Sequence, residues 1–416
     1  MGIGGMVGGG IFSVLGLSVG LAGHAAPLAF GLGGVIALLT GISYARLGLA
    51  FRSDGGSFTY LEHVFRHQNI AGLCGWLLLA GYIGTLALYA YTFGAYGSAV
   101  LGGNTRYPAV QHLLETGVLA VFLGINLYSV KATGLTEDII VLVKVMILSL
   151  FAVIGLFFVK SDHLLPVFDQ GEAGMLMGAA LIFVAYEGFE LIPNAVHEME
   201  HPERNLMRGI VISILATTAI YVLVSLVAIG TLAPEIIDKD KEYALAVAAE
   251  PFLGRAGFLL IGLGALLSTA SAINATMFGT ARLSKVMAED KALPRVFSHR
   301  ERTRDIPWVS LCVIAALTLL FVNLGNLTVI SSFASATFLV IFATINFAAL
   351  RLRRTIRLPW PVPLAGLVLC LASWLVLGGY LWRHDGGSLI WISLSYVAIG
   401  VAEFVFSKRG MFRKTT

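Results

Sequence analysis

Stretches of about twenty apolar residues, each long enough to cross the roughly 30 Å hydrocarbon core of a bilayer as an α-helix, recur from one end of this 416-residue chain to the other. Charged residues make up only 12% of the chain, whereas a soluble domain carries about 25%, and the mean hydropathy is +0.85. No soluble fold of this size hides that much apolar surface. Lipid is therefore the solvent, and in lipid only helices and closed barrels satisfy their own backbone. Dividing the chain at its polar and Gly/Pro punctuation predicts twelve helices, over residues 1–21, 25–50, 70–101, 109–130, 137–159, 174–198, 206–232, 255–286, 307–324, 328–351, 359–382 and 388–406. The expected fold class is an all-α integral membrane protein whose single transmembrane domain occupies 1–416.

The basic residues test that count, because cytoplasmic loops carry the Lys and Arg excess. With the N-terminus inside, 21 of the 28 Lys and Arg residues fall in inner loops. Six remain outside (Arg106, Lys160, Lys239, Lys241, Arg255 and Arg383), and Lys144 lies within a span. A miscounted helix would mix the two sets, so the bias supports both topology and orientation, with N- and C-termini in the cytoplasm of a plasma-membrane protein. The basic run from Arg282 to Arg304 reads as the same topology signal and not as a nucleic-acid surface. Cys74, Cys312 and Cys370 sit in apolar spans without metal-ligand spacing, so neither a disulfide framework nor a metal centre is expected. No cofactor is implied. The first span lacks a basic n-region and a small-residue cleavage site, so it is expected to stay in the mature protein.

Two spans resist being continuous helices. The first places six glycines among the nine residues from Gly2 to Gly10, and each interior glycine costs a helix about 1 kcal/mol against alanine. Unwound backbone at membrane depth survives only where it lines a cavity or is buried in protein, and there its freed N–H groups can hold a carboxylate. The sixth span carries Ala185-Tyr186-Glu187-Gly188-Phe189-Glu190, a glycine between two carboxylates in an apolar run. Ionisable groups at that depth mark a functional cavity. Breaks in spans one and six are what two inverted five-helix repeats produce, here 1–159 and 174–351, with 359–406 as two appended helices.

These segments carry a family likeness. The run G-G-M-V-G-G-G-I-F-S, the stretch S-D-G-G-S-F-T-Y-L after the second helix, and Y-E-G-F-E-L-I-P-N-A-V-H-E-M-E-H-P-E-R-N-L together resemble the amino acid-polyamine-organocation (APC) superfamily of amino acid permeases over nearly the whole chain. The resemblance implies a leucine-transporter type of fold with discontinuous helices one and six, secondary active transport by alternating access, and an amino acid as the substrate. It places the substrate carboxylate on the unwound first helix, at Val7, Gly8, Gly9, Gly10 and Ile11, and its amino group on carbonyls of spans one and six. Ala185, Glu187, Gly188 and Glu190 would line the site; Tyr186 and Phe189 would wall or gate it; Tyr82 and Thr85 on the third span are further candidates. By the same analogy the segment 241–252 would cap an outer vestibule. Members of the family usually carry more chain before the glycine motif than the seven residues preceding Gly8 here.

Lys144 stands among aliphatic residues in D-I-I-V-L-V-K-V-M-I-L-S-L-F, about two turns inside the fifth span. A snorkelling side chain is one explanation. The other begins with desolvation, which disfavours the charged form of an ammonium and makes such a lysine a proton carrier. Proton-coupled relatives resemble this chain in placing a lysine where sodium-coupled ones hold a cation between spans one and eight. On that reading the Lys144 ammonium replaces the coupling ion, hydrogen-bonded by Ser268 and Ser271 of the eighth span, and transport is driven by protons without sodium.

Two rival readings are open at this level. His197-Glu198-Met199-Glu200-His201 matches H-E-x-x-H, the zinc-binding helix of a metalloprotease, although Pro202 biases His201 away from helical dihedrals. A transporter of two six-helix halves would need a G-x-x-x-D-R-x-G motif near Arg52 and a long central loop, and the sequence has neither.

Overall fold

The computed structural model describes residues 2–53, 55–65, 68–102, 108–128, 134–197, 199–299 and 306–406, with the side chains of 68 and 134–136 left aside. Among them the chain is helical throughout. Ten stretches are long and apolar enough to cross a membrane. One of these, Gly10–Phe51, turns at Gly23–Ala25 and so makes two crossings, while Trp308–Leu324 adds a shorter apolar helix. Twelve passes result.

The first pass is split into α1 (Gly2–Met6) and α2 (Gly10–Ala22), followed by α3 (Ala26–Phe51). A short helix, α4 (Gly56–Val64), precedes α5 (Gln68–Val100), α6 (Pro108–Tyr128) and α7 (Gly134–Leu156). The sixth pass consists of α8 (Gly171–Leu181) and two tighter 3₁₀ pieces, Ile182–Tyr186 and Phe189–Ala195. The remainder is α9 (Pro202–Thr231), α10 (Pro234–Lys239), α11 (Ala244–Glu289), α12 (Trp308–Leu324), α13 (Leu327–Arg351), α14 (Pro361–His384) and α15 (Gly386–Phe406). The eighth pass begins where expected, at 255: the segment expected as a vestibule cap forms a separate helical stretch from Ala244, joined to the pass by a sharp turn at Gly254, whose φ of 61° and ψ of −158° only glycine adopts readily. The backbone of Lys241 closes directly on Gly16 of α2, so this segment lies over the second half of the first pass. The topological residues Arg66, Arg106, Lys131, Arg300, Arg302, Arg304, Lys408, Arg409, Arg413 and Lys414 lie outside the described residues.

Burial sorts the helices into an inner and an outer set. The best apolar windows of α5, the sixth pass and α13 are 72%, 78% and 78% buried, against 22% for α14 and 11% for α15. The two last helices therefore lie at the periphery, as α6 does at 22%. Within that core α2 packs on α8, α3 on α9, α5 on α11 and α6 on α12, so each of the first four passes meets the one five places later, while α7 packs on α11 and α9. Lipid offers helices no hydrophobic reason to associate, and small residues and polar contacts hold them instead. Asn346 of α13 illustrates this: its amide nitrogen donates to Thr40 Oγ1 at 2.8 Å and its carbonyl oxygen accepts from Ser43 Oγ at 2.8 Å, both on α3. Asn126 donates to Asn274 at 2.8 Å in the same way, joining α6 to α11.

Candidate functional site

The helical ladder of the first pass fails over residues 7–9. Val7 N–H still bonds Ile3 O at 2.8 Å and Gly8 N–H bonds Gly5 O at 3.1 Å, but the ladder resumes only where Ser13 N–H reaches Gly9 O at 2.9 Å. Between these points the N–H groups of Gly9 and Phe12 meet no acceptor among the described residues. The carbonyls there share three hydroxyl protons. Tyr221 Oη donates to Met6 O at 2.6 Å, Ser268 Oγ to Val7 O at 2.7 Å and also to Gly8 O, and Ser13 Oγ to Gly9 O at 2.6 Å. The break therefore presents unpartnered donors at the positive end of α2. That is the polarity a carboxylate requires.

The sixth pass breaks at Glu187, extended at φ −60° and ψ 142°, and Gly188, at φ 121° and ψ −24°. The two breaks touch. A Cβ on Gly188 would lie 2.6 Å from Gly5 C and 2.7 Å from Met6 N, and one on Gly10 would lie 2.7 Å from Ala185 Cα. Glycine at both positions is thus what lets the passes meet backbone to backbone. Tyr221 of α9 spans the meeting point, since its hydroxyl also donates to Ala185 O at 3.1 Å. Sequence reasoning missed this residue, for nothing in its apolar surroundings points to a partner 215 positions away.

Both carboxylates of the sixth pass are buried. Glu187 Oε2 accepts from Tyr89 Oη at 3.2 Å; Glu190 Oε1 accepts from Tyr82 Oη at 3.4 Å, and its Oε2 from Gly188 N–H at 2.7 Å. The Thr85 hydroxyl faces Glu187 as well. Tyr82, Thr85 and Tyr89 follow at i, i+3 and i+7 and so share one face of α5. Tyr89, which this spacing would have identified, was not among the expected site residues, yet its ring lies directly against Gly9 and its hydroxyl beside Gly8.

Other expected residues sit differently. Tyr186 donates to Phe30 O of α3 at 2.6 Å and stacks edge-on against Tyr221 at 5.4 Å. Phe189 packs on Tyr44 and Phe342 at 5.7 and 5.1 Å. Both rings therefore belong to the packing among α3, α9 and α13 in this structure, where sequence reasoning expected a wall or gate. Lys144 is 1% exposed and donates to Gly4 O of α1 at 2.7 Å. The expected bonds from Ser268 and Ser271 to its ammonium are not formed, because Ser268 is turned to Val7 and Gly8 and Ser271 is half-buried on the same helix without a bond to the lysine. No carboxylate among the described residues lies within ion-pair distance of Lys144.

The H-E-x-x-H segment does not assemble. His197 Nε2 bonds Arg52 O at 2.7 Å, and His201 is left-handed at φ 49° as the residue preceding α9, so the two rings do not share a helical face. Glu198 lies outside the described residues. Among the described residues no three His, Cys, Asp or Glu side chains converge as metal ligands.

Comparison with known proteins bears on the same surfaces. Residues 1–402 match the sequence model of the amino acid permease family. The chain is 34% identical to an uncharacterized protein of Methanocaldococcus jannaschii over 98% of its own length and 93% of the relative's. It is 31% identical to the inner membrane transport protein YbaT of Escherichia coli over 94% and 91% of the two chains. Against the serine/threonine exchanger SteT of Bacillus subtilis the identity is 28%, over 85% and 81%.

Proposed function

The chain belongs to the amino acid permease family, a family of membrane transporters and not of enzymes, and from that premise we propose that it carries amino acids across the plasma membrane, coupled to protons and independent of sodium, by alternating access. One observation supports the substrate class above the others. At the meeting of the two broken passes the peptide groups left over are donors, Gly9 and Phe12 N–H at the head of α2, and a carboxylate is the anion that an amino acid brings to them.

The coupling reading draws on Lys144. Its ammonium hangs on Gly4 O, while Val7 O and Gly8 O accept from Ser268, so the carbonyls a sodium ion would need between passes one and eight are engaged with protein protons. Loss of the Lys144 proton leaves a neutral amine whose bond to Gly4 O is no longer charge-assisted, and so loosens the hold on α1, the inner half of the first pass. That is a movement proportionate to opening one side of the site. The pairing of each of the first four passes with the fifth after it supports two repeats, 1–159 and 174–351, rocking about the shared site, with 359–406 as peripheral helices. The Lys and Arg bias of the loops supports cytoplasmic termini.

The test is uptake of the twenty amino acids into proteoliposomes, with pH and sodium gradients imposed separately. Accumulation of one or more amino acids under an inward proton gradient, unaffected by sodium, is expected. Accumulation driven by sodium alone would reject the coupling, and no amino acid uptake in any gradient would reject the transporter reading of this site.

A further inference from the structure

The turn that joins α13 to α14 carries four arginines in seven residues, Arg351, Arg353, Arg354 and Arg357. It is folded back on itself, with Ile356 N–H bonding Leu352 O at 3.1 Å and Leu358 N–H bonding Arg353 O at 2.9 Å. Ile356 and Leu358 are buried and anchor the turn against the bundle, while Arg351, Arg354 and Arg357 are exposed and Arg353 is half-buried. No carboxylate among the described residues comes within 4.0 Å of any of the four guanidinium groups. The sequence supplies none nearby either, since no aspartate or glutamate occurs from Ile306 to His384. Basic residues of other inner loops have acidic company: Arg52 pairs with Glu203 at 2.8 Å, and Glu203 adjoins Arg204 in the chain.

Orienting a chain in the membrane asks only for positive charge, which lysine supplies as well. This turn uses arginine alone, whose planar fork of donors matches the oxygens of a phosphate. Its apolar surroundings fit the rest of a lipid. Trp360, three residues after Arg357 and just before α14, is exposed, and indole rings settle at the membrane–water boundary. Phe347, one helical turn before Arg351, is exposed as well. Val368, Leu371 and Leu375, at i, i+3 and i+7, form an exposed apolar stripe leading away from the turn along α14. The Lys and Arg bias sets the turn on the cytoplasmic side, where anionic phospholipid gathers. Going beyond the transport reading, we infer that the α13–α14 turn is a binding site for an anionic phospholipid of the cytoplasmic leaflet, its phosphate held by Arg351, Arg354 and Arg357 and its acyl chains laid along α14.

Native mass spectrometry of the full chain in detergent, given phosphatidylglycerol or phosphatidylcholine with identical acyl chains, counts the lipids retained. Wild type should hold phosphatidylglycerol about tenfold or more tightly than phosphatidylcholine, and Arg354→Gln combined with Arg357→Gln should weaken that binding by about tenfold or more, two cationic contacts being removed. Arg204→Gln combined with Arg208→Gln takes the same charge from exposed residues of α9 and should leave the preference intact. Glycerol 3-phosphate in excess should not displace the lipid, because it lacks the acyl chains. Thermal unfolding of each variant separates lost binding from lost fold; if the first double variant does not fold, Arg354→Gln alone, at an exposed side chain, decides by a loss of about fivefold. Equal affinity of wild type for the two lipids overturns the inference. Equal loss in the two double variants also overturns it, by marking the effect as one of net charge, and displacement by glycerol 3-phosphate does so by revealing a site for soluble phosphate.

Discussion

Replacing Gly188 by alanine tests the contact between the two broken passes. At φ 121° and ψ −24° a side chain is strained whatever the space around it, by about 1–3 kcal/mol. The new Cβ would also lie 2.6 Å from Gly5 C and 2.7 Å from Met6 N. Those are backbone atoms that cannot rotate aside, so passes one and six must separate, at an overpacking cost of about 1–3 kcal/mol. The sum is at least about 2 kcal/mol, and since each 1.4 kcal/mol is tenfold, the native arrangement of the breaks loses about 30-fold in population or more. Gly117→Ala is the matched control: it lies on the exposed face of α6 with nothing within 4 Å of a new Cβ, and alanine should gain about 0.5–1 kcal/mol there. Thermal unfolding in detergent and initial uptake rates in proteoliposomes should show Gly188→Ala less stable and at least tenfold slower, with Gly117→Ala unchanged or more stable. Wild-type stability and uptake in Gly188→Ala would refute the reasoning, since the two backbones could not then be in contact.

Tyr221→Phe removes the hydroxyl that bridges Met6 O and Ala185 O; stranding a buried acceptor costs about 1–3 kcal/mol, so a lower melting temperature and slower uptake are expected, and an unchanged protein would count against the bridge. Lys144→Ala should leave a folded, monodisperse protein in which accumulation no longer responds to a pH gradient, because the proton on Gly4 O is gone; undiminished proton-driven accumulation would remove the lysine from the mechanism. Purified protein should contain no stoichiometric zinc, and His201→Ala should alter neither metal content nor uptake; zinc bound at one equivalent and lost in that variant would revive the metalloprotease reading.

Much of this site could be read from the sequence where local chemistry forbids the default. Six glycines in nine residues weaken a helix enough for it to break over residues 7–9, and a glycine between two carboxylates in lipid demands a reason, so both breaks fall within the segments expected. Contacts across the bundle were not legible in the same way. The spacing of Lys144 gave its depth, but its acceptor is a carbonyl freed by the break in another pass, whereas hydroxyls on the eighth pass looked the natural partners. The Ser268 hydroxyl faces the first pass for the same reason, to satisfy Val7 and Gly8. Tyr186 and Phe189 were expected over the site because they flank Gly188, yet the tight 3₁₀ turns on either side of the break rotate them into the packing with α3, α9 and α13. The helix Gly56–Val64 was overlooked because nine residues are too few to cross a bilayer, so hydropathy gives no signal for it.

A crystal structure of the protein with a transported amino acid bound tests the central claim most directly. The account predicts the solute at the junction of passes one and six, with a carboxylate oxygen about 2.7–3.2 Å from peptide nitrogens at the head of α2. A solute bound with its carboxylate turned away from Gly8, Gly9 and Gly10, or helices running unbroken through residues 7–9 and through Gly188, would contradict it.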